Sequence, residues 1–186
     1  MPELPEDPAA CDALIATGAV VATRLPAISG EIGCGVAAPV SLDAVILPDK
    51  RSIPVEPHPV LRCDLAAEAA HWIAEDLIPS VEETGGRIRR LIGAGGYQCR
   101  SRNGSPGAPL SEHARGNALD LGGVEMADGH IIGLPDMAGL LEAATNVRAA
   151  ACARFATVLG KPRACRSRTA PQRRPALRVG SAIGAA

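Results

Sequence analysis

The stretch "LSEHARGNALDLGG", Leu110–Gly123, decides how the chain is read. His113 and Asp120 stand seven residues apart, Ser111 lies two before the histidine, and small residues crowd the interval. Gly116 breaks any helix that would join the two, so the spacing predicts a loop at His113 and a strand carrying Asp120. On such a strand Ala118 and Asp120 share one face while Leu119 and Leu121 share the other. The carboxylate then points away from a leucine-lined side, and Gly116 and Ala118 leave room for a loop to fold back. Zinc takes about four ligands, three of them from protein in a catalytic site. From spacing alone the pair stays open between a local metal clamp, a His–Asp hydrogen bond and a surface histidine.

Around this motif the chain alternates short apolar runs with glycine- and proline-rich turns. Asp7–Pro8 reads as an N-cap with proline at the first helical position, and Gly18 as a stop, predicting a helix over about 8–17. "VVATRL" (Val20–Leu25) and "VSLDAVIL" (Val40–Leu47) read as strands, separated by the glycine-rich "GEIGCGVAAP". Pro48 to Pro59 holds four prolines and is expected to be irregular. "DLAAEAAHWIAEDLIPSVEETG" is the clearest helix, with Asp64 as its cap and Leu65, Ala69, Trp72, Ile73 and Leu77 at helical spacing. Pro79 should kink it or end its regular part. "RIRRLI" (Arg87–Ile92) and "GYQCR" (Gly96–Arg100) are expected as strands, and "SRNGSPGAP" as a loop. "NALDLGGVEM" (Asn117–Met126) reads as one strand, "ADGH" as a turn and "HIIGL" as its return. A last helix is predicted over roughly Ala138–Leu159. Helices flanking several short strands, without regular β–α alternation, predict an α+β fold.

Composition narrows the class. At 186 residues the chain suits one domain, and with 2% aromatic residues its core must be built from Ala, Leu, Ile and Val. No apolar run is long enough for a transmembrane helix. "MPELPEDPAAC" lacks the basic and apolar regions of a secretory signal. Six dispersed cysteines, Cys11, Cys34, Cys63, Cys99, Cys152 and Cys165, include no C-x-x-C pair. They favour structural disulfides over buried free thiols, and hence an exported protein whose leader lies outside this sequence. Six allow 15 pairings, among which sequence does not choose. Residues 161–186 hold seven basic groups and no acidic one, whereas residues 1–160 hold twelve basic and all twenty acidic groups. The tail also lacks aromatics and periodicity, so it reads as disordered or translated out of frame. The 17 Arg against 2 Lys suit a GC-rich bacterial gene, where wrong frames also yield Arg, Ala and Pro. No RNA- or DNA-binding module accompanies the basic tail, so no nucleic-acid partner is expected.

"S-E-H-A-R-G-N-A-L-D" matches S-x-H-x-x-G-x-A-x-D and resembles the D-alanyl-D-alanine carboxypeptidase group of zinc peptidases, which share a hedgehog-like fold. "CGV" (Cys34–Val36), "GYQCRSRNG" (Gly96–Gly104), "LSEHARGNALDL", "ADGHII" (Ala127–Ile132) and "FATVLG" (Phe155–Gly160) are similar, more closely, to bacterial extensin-like proteins. That resemblance divides the chain into an extension (1–7), an extensin-like domain (8–160) and the tail (161–186). It implies a small antiparallel sheet with flanking helices, in a periplasmic or cell-envelope setting. His113 and Asp120 match two metal ligands of the peptidases. Arg100 stands where those enzymes hold and polarise substrate, with Arg102 as the fallback.

The resemblance also implies a late H-x-H-like strand bringing a third ligand and a general base. Neither is present: the four histidines are His58, His71, His113 and His130, and no Asp or Glu follows Glu142. The C-terminal strand region is therefore expected to be lost, and the third ligand and base stay unidentified. His130 is a poor substitute because its counterpart in the family is no ligand, His71 reads as a half-buried helix residue, and His58 as a loop residue between prolines. Zinc is the cofactor implied, on an incomplete site. The expectation is an extensin-like envelope protein without catalysis that binds peptidoglycan or other cell-wall peptides. The alternative is a zinc-dependent peptidase on such peptides with an unrecognised ligand.

Overall fold

The computed structural model describes residues 8–31, 33–134, 141–159, 165–166 and 176–179. An opening helix α1 (Pro8–Ala16) leads into β1 (Val20–Arg24), then a two-stranded ribbon of β2 (Ile28–Ser29) and β3 (Gly35–Val36). The long strand β4 (Pro39–Ile46) pairs antiparallel with β1, with β5 (Ser52–Glu56) and with β6 (Val60–Arg62). Helix α2 (Cys63–Trp72) follows β6 without a break and continues through a π-helical turn, Ile73–Leu77, into α3 (Ile78–Glu82). Strand β7 (Ile88–Ile92) then enters the same sheet.

The proline expectation is resolved by that π turn. Pro79 has no N–H to donate, and its ring would crowd the carbonyl four residues back. The helix widens just before it, so that the Ile78 N–H donates to Ile73 O, five residues away. Helicity continues past Pro79, and one face stays buried along the whole run: Leu65, Ala66, Ala69, Ala70, Trp72, Ile73, Leu77, Ile78 and Val81. Asp64 does not cap the helix. Arg62 occupies the N-cap position, and Asp64 instead pairs with the Arg62 guanidinium at 2.8 Å.

Strands β8 (Ala118–Leu121) and β9 (Gly123–Met126) were expected as one strand, yet they belong to different sheets. The switch falls at Gly122, whose N–H bonds Ile92 O and whose Cβ, were there one, would lie 3.3 Å from the Gly93 Cα. A side chain there would be tighter than ordinary contact and would require the backbone at the end of β7 to give by a few tenths of an ångström. Strand β10 (Ile131–Gly133) returns antiparallel to β9 as expected. The large sheet thus runs β1-β4-β5-β7-β9-β10, with β6 also on β4.

The second sheet contains β11 (Thr157–Leu159), β12 (Cys165–Arg166), β13 (Ala176–Val179) and β8, in the order β12-β11-β13-β8. The expectation of a small antiparallel sheet is corrected on two counts. The main sheet has seven strands, and β5–β7, β11–β13 and β13–β8 are parallel pairs. The α+β class holds. Helix α4 is Leu141–Arg154, not Ala138–Leu159: Thr157 and Val158 go into β11, and residues 138–140 lie outside the described part. "GYQCR" forms no strand, and the proline-rich segment contains β5, where Ile53 and Val55 alternate inward. Two pieces of the basic tail, Cys165–Arg166 and Ala176–Val179, are strands, and the rest of that tail lies outside the described residues.

The core joins these layers. Helix α2 contacts β4 and β6 of one sheet, β8 of the other, and both α1 and α4. Trp72 and Phe155 meet edge to face with centroids 6.1 Å apart, and the Trp72 indole N–H bonds Val147 O at 3.1 Å. Three disulfides tie the periphery: Cys11–Cys63, Cys34–Cys99 and Cys152–Cys165. Among the described residues no helix is long and apolar enough to cross a membrane.

At the rim, Arg51 makes a two-pronged pair with Glu82, 2.8 Å for each bond, and a further bond to Asp49 at 2.7 Å. This binds the β4–β5 turn to α3. Burial pushes the Glu82 carboxyl up, but its bonds from Arg51 and the Ile88 N–H outweigh that and hold it below the usual carboxylate range. Asp49 is held low chiefly by the Arg51 side chain. Carboxyls depressed in the folded state stabilise it above their unfolded pKa of about 4 and lose that contribution as pH falls through the folded values. Denaturant titrations between pH 6 and pH 3 should therefore show falling stability, with a shallower fall in Glu82→Gln. Parallel curves for the two proteins would refute this role for the cluster.

Candidate functional site

The turn that presents His113 is built by its own side chains. Ser111 caps a 3-10 turn, Glu112–Arg115, its hydroxyl accepting from the His113 N–H at 3.4 Å. Gly116 ends the turn in the left-handed region, at φ 61°, where a side chain would meet Val36 Cγ2 at 2.9 Å. The Asn117 side-chain amide donates to Glu112 Oε2 at 2.8 Å and closes the turn on itself. Strand β8 begins at the next residue. The expected loop at His113 and strand at Asp120 are both present.

The structure brings these two residues together. His113 is only 6% exposed. Its Nδ1 lies 2.7 Å from Gly96 O, and its Nε2 lies 3.4 Å from Asp120 Oδ1. A carbonyl oxygen only accepts, so Nδ1 carries the hydrogen and, in the neutral ring, Nε2 presents a lone pair. That lone pair faces Asp120 Oδ1, which is buried and has no hydrogen-bond partner. With the ring neutral, two acceptors confront each other across this 3.4 Å gap.

Arg100 and Arg102 are placed differently. The Arg100 guanidinium bonds the Gln98 side chain at 2.8 Å, while its backbone carbonyl accepts from the Ser111 N–H at 3.0 Å. Arg102 opens a short exposed turn, Arg102–Gly104, and its N–H bonds Pro109 O. Among the described residues there is no group of three or more His, Cys, Asp and Glu able to hold a metal ion. His130 sits exposed on the β9–β10 turn, and His58 pairs with Asp43 at 3.2 Å. His71 is exposed, not half-buried, because it lies on the solvent side of α2 opposite Leu65, Ala69 and Trp72.

Sequence reading missed the residues that hold the pair. Gly95 exchanges both backbone hydrogen bonds with Asp120, at 3.0 and 2.8 Å, and Gly96 supplies the carbonyl to His113. The signal was available in "GAGG", Gly93–Gly96, three glycines in four residues directly before "YQCR".

The confrontation of acceptors costs stability in the metal-free protein, because a buried acceptor lacks a donor. Asp120→Asn places an amide N–H opposite the Nε2 lone pair. With a chelator present, this variant should be about 1 kcal/mol more stable than the wild type by denaturant titration. A loss of stability of that size would show that Asp120 Oδ1 is not an orphan.

No curated protein and no solved structure matches this chain. A family model described as "Extensin-like protein C-terminus" matches residues 9–165, a span that includes the ribbon at Cys34, the Gly95–Cys99 segment, the His113 turn and β8. The chain belongs to the extensin-like protein C-terminus family.

Proposed function

We propose that this is an exported extensin-like protein whose His113–Asp120 pair is half of a divalent-metal site, used to bind cell-wall peptides and not to cut them. The observation that carries this reading is the buried His113 Nε2 lying 3.4 Å from an Asp120 oxygen that has no hydrogen-bond partner, while Nδ1 faces the Gly96 carbonyl. Two ligands at about 2.0–2.1 Å from a tetrahedral zinc stand about 3.3–3.4 Å apart. A charged imidazolium would instead draw the carboxylate in to about 2.7–2.9 Å. The donor types, the lone pair and the spacing all suit zinc, and they suit it as two ligands of a larger set.

What limits the site is the strand beside Asp120. Strand β13 lies parallel to β8 with residue 178 in register with Asp120, and that residue is an arginine. Arginine has no lone pair to offer a metal. In the peptidases this motif resembles, a late histidine strand completes the ligands and brings the base. The basic composition of residues 161–186, seven basic groups and no acidic one, is what motivates a change of reading frame in the gene as the origin of this tail. Bound zinc would supply Lewis acidity and an acidified water. His113 and Asp120 would hold it, Arg100 would orient a peptide carboxylate, and no residue of this chain is assigned to take a proton. Three disulfides fit an oxidising compartment such as the periplasm or cell envelope.

The test is zinc titration of the chelator-treated protein beside an assay for release of D-alanine from peptidoglycan-type peptides. Weak zinc binding, lost in His113→Ala, with no hydrolysis and with measurable peptide binding, is the expected result. Arg178→His should raise zinc affinity at least about tenfold, as an added imidazole ligand would. Stoichiometric zinc together with hydrolysis by the wild type would overturn the non-catalytic reading in favour of a complete peptidase.

A further inference from the structure

The segment Gly95–Ser101 forms no strand, because its residues bond to several different partners. Gly95 pairs with Asp120 in β8, and the Tyr97 N–H bonds Val60 O in β6 at 2.7 Å. The Gln98 N–H bonds His113 O at 3.1 Å, Cys99 is joined to Cys34, and Ser101 bridges to Leu110. Between Gly95 and Tyr97, the carbonyl of Gly96 is the acceptor for His113 Nδ1. Thus two consecutive residues hold the backbone of one donor and the side chain of the other.

We infer that the Gly95–Gly96 dipeptide is the positioning device of the His113–Asp120 pair. Gly96 sets the histidine tautomer and ring orientation, Gly95 sets the strand bearing the carboxylate, and together they fix the separation of the two donors. This rests on the metal-site reading for its purpose but not for its geometry. The two glycines differ in what they tolerate. A Cβ on Gly96 would lie 2.7 Å from Val60 N and closer still to Val60 O, both backbone atoms that cannot rotate aside. A Cβ on Gly95 would meet the Asp120 side chain alone, Cβ at 3.4 Å and Oδ2 at 3.7 Å, both ordinary contact, and neither glycine has a left-handed φ. Alanine at 96 must therefore displace the carbonyl that faces His113, while alanine at 95 leaves it in place. Gly96 acts through His113 and touches no ligand itself. Its place is that of a partner to a metal-ligating histidine, whose loss weakens metal affinity by roughly 10–100-fold.

The tautomer is readable without metal. In chelator-treated wild type, nitrogen NMR of the neutral His113 ring should show hydrogen on Nδ1 and none on Nε2, and Gly95→Ala should give the same pattern. In Gly96→Ala that preference should be reduced or reversed, and zinc(II) affinity should fall by about 10–100-fold relative to Gly95→Ala. Thermal unfolding of both variants shows whether they are folded. Hydrogen on Nε2 in the wild type overturns the inference, and so does a folded Gly96→Ala with unchanged tautomer and affinity. If Gly96→Ala does not fold, the wild-type tautomer decides alone. A wild type with hydrogen on Nδ1 that takes up no zinc supports positioning by Gly96 while removing the metal-site reading.

Discussion

Where the chain passes from Gly93 to Tyr97 it lies against β6 too closely to admit a Cβ at residue 96, and the arrangement around it depends on that approach. One side of this segment bonds Val60, in the large sheet, and the other bonds Asp120, in the small one. Helix α2 begins immediately after β6, so the same crossing sets the sheets relative to the helix that covers them. Two residues beyond Asp120, at the same end of β8, Gly122 lets the chain leave the small sheet over the end of β7. Asp120 thus sits between its backbone pairing with Gly95 and the Gly122 crossing two residues on.

Such crossings demand small residues, and the rest of the core accommodates them. With one Trp, one Phe and one Tyr, the interior is filled by alanine and branched aliphatic side chains, which allow close approach but contribute less buried area each. Covalent ties offset part of that deficit. The Cys11–Cys63 and Cys34–Cys99 bonds close loops of 52 and 65 residues, worth on the order of 4 kcal/mol each in the chain-entropy account. Their placement follows the site. Cys63 opens α2 next to β6, and Cys99 stands three residues after the glycine that bonds His113.

Much of this was legible in the residues. The α2 run announced itself by Leu65, Ala69, Trp72, Ile73 and Leu77, because one buried face imposes helical spacing whatever the tertiary context. The strands around Val20, Val40 and Ile88 were readable from branched residues, and the His113 loop from Gly116. What failed was decided by partners far away in sequence. "GYQCR" has strand-like residues but no continuous neighbour to pair with, and Pro54 concealed a strand whose inward residues are Ile53 and Val55. The split of "NALDLGGVEM" depends on Gly122 meeting the end of β7, which no local pattern records. In the site, residue types and spacing suggested His113 and Asp120, whereas the backbone carbonyl and amide of Gly95–Gly96 carry no side-chain signature at all.

Of the three readings that spacing left open for the pair, geometry separates them. A surface histidine would not be 6% exposed. A neutral His–Asp hydrogen bond needs hydrogen on Nε2, but the Gly96 carbonyl claims the ring's one hydrogen at Nδ1. A doubly protonated ring could serve both partners, yet 3.4 Å is long for a bond between opposite charges. The geometry leaves a buried imidazole and a carboxylate 3.4 Å apart, with Asp120 Oδ1 lacking a hydrogen-bond partner, and the metal site we propose rests on that arrangement. Beside it, β13 runs parallel to β8 with residue 178, an arginine, in register with Asp120.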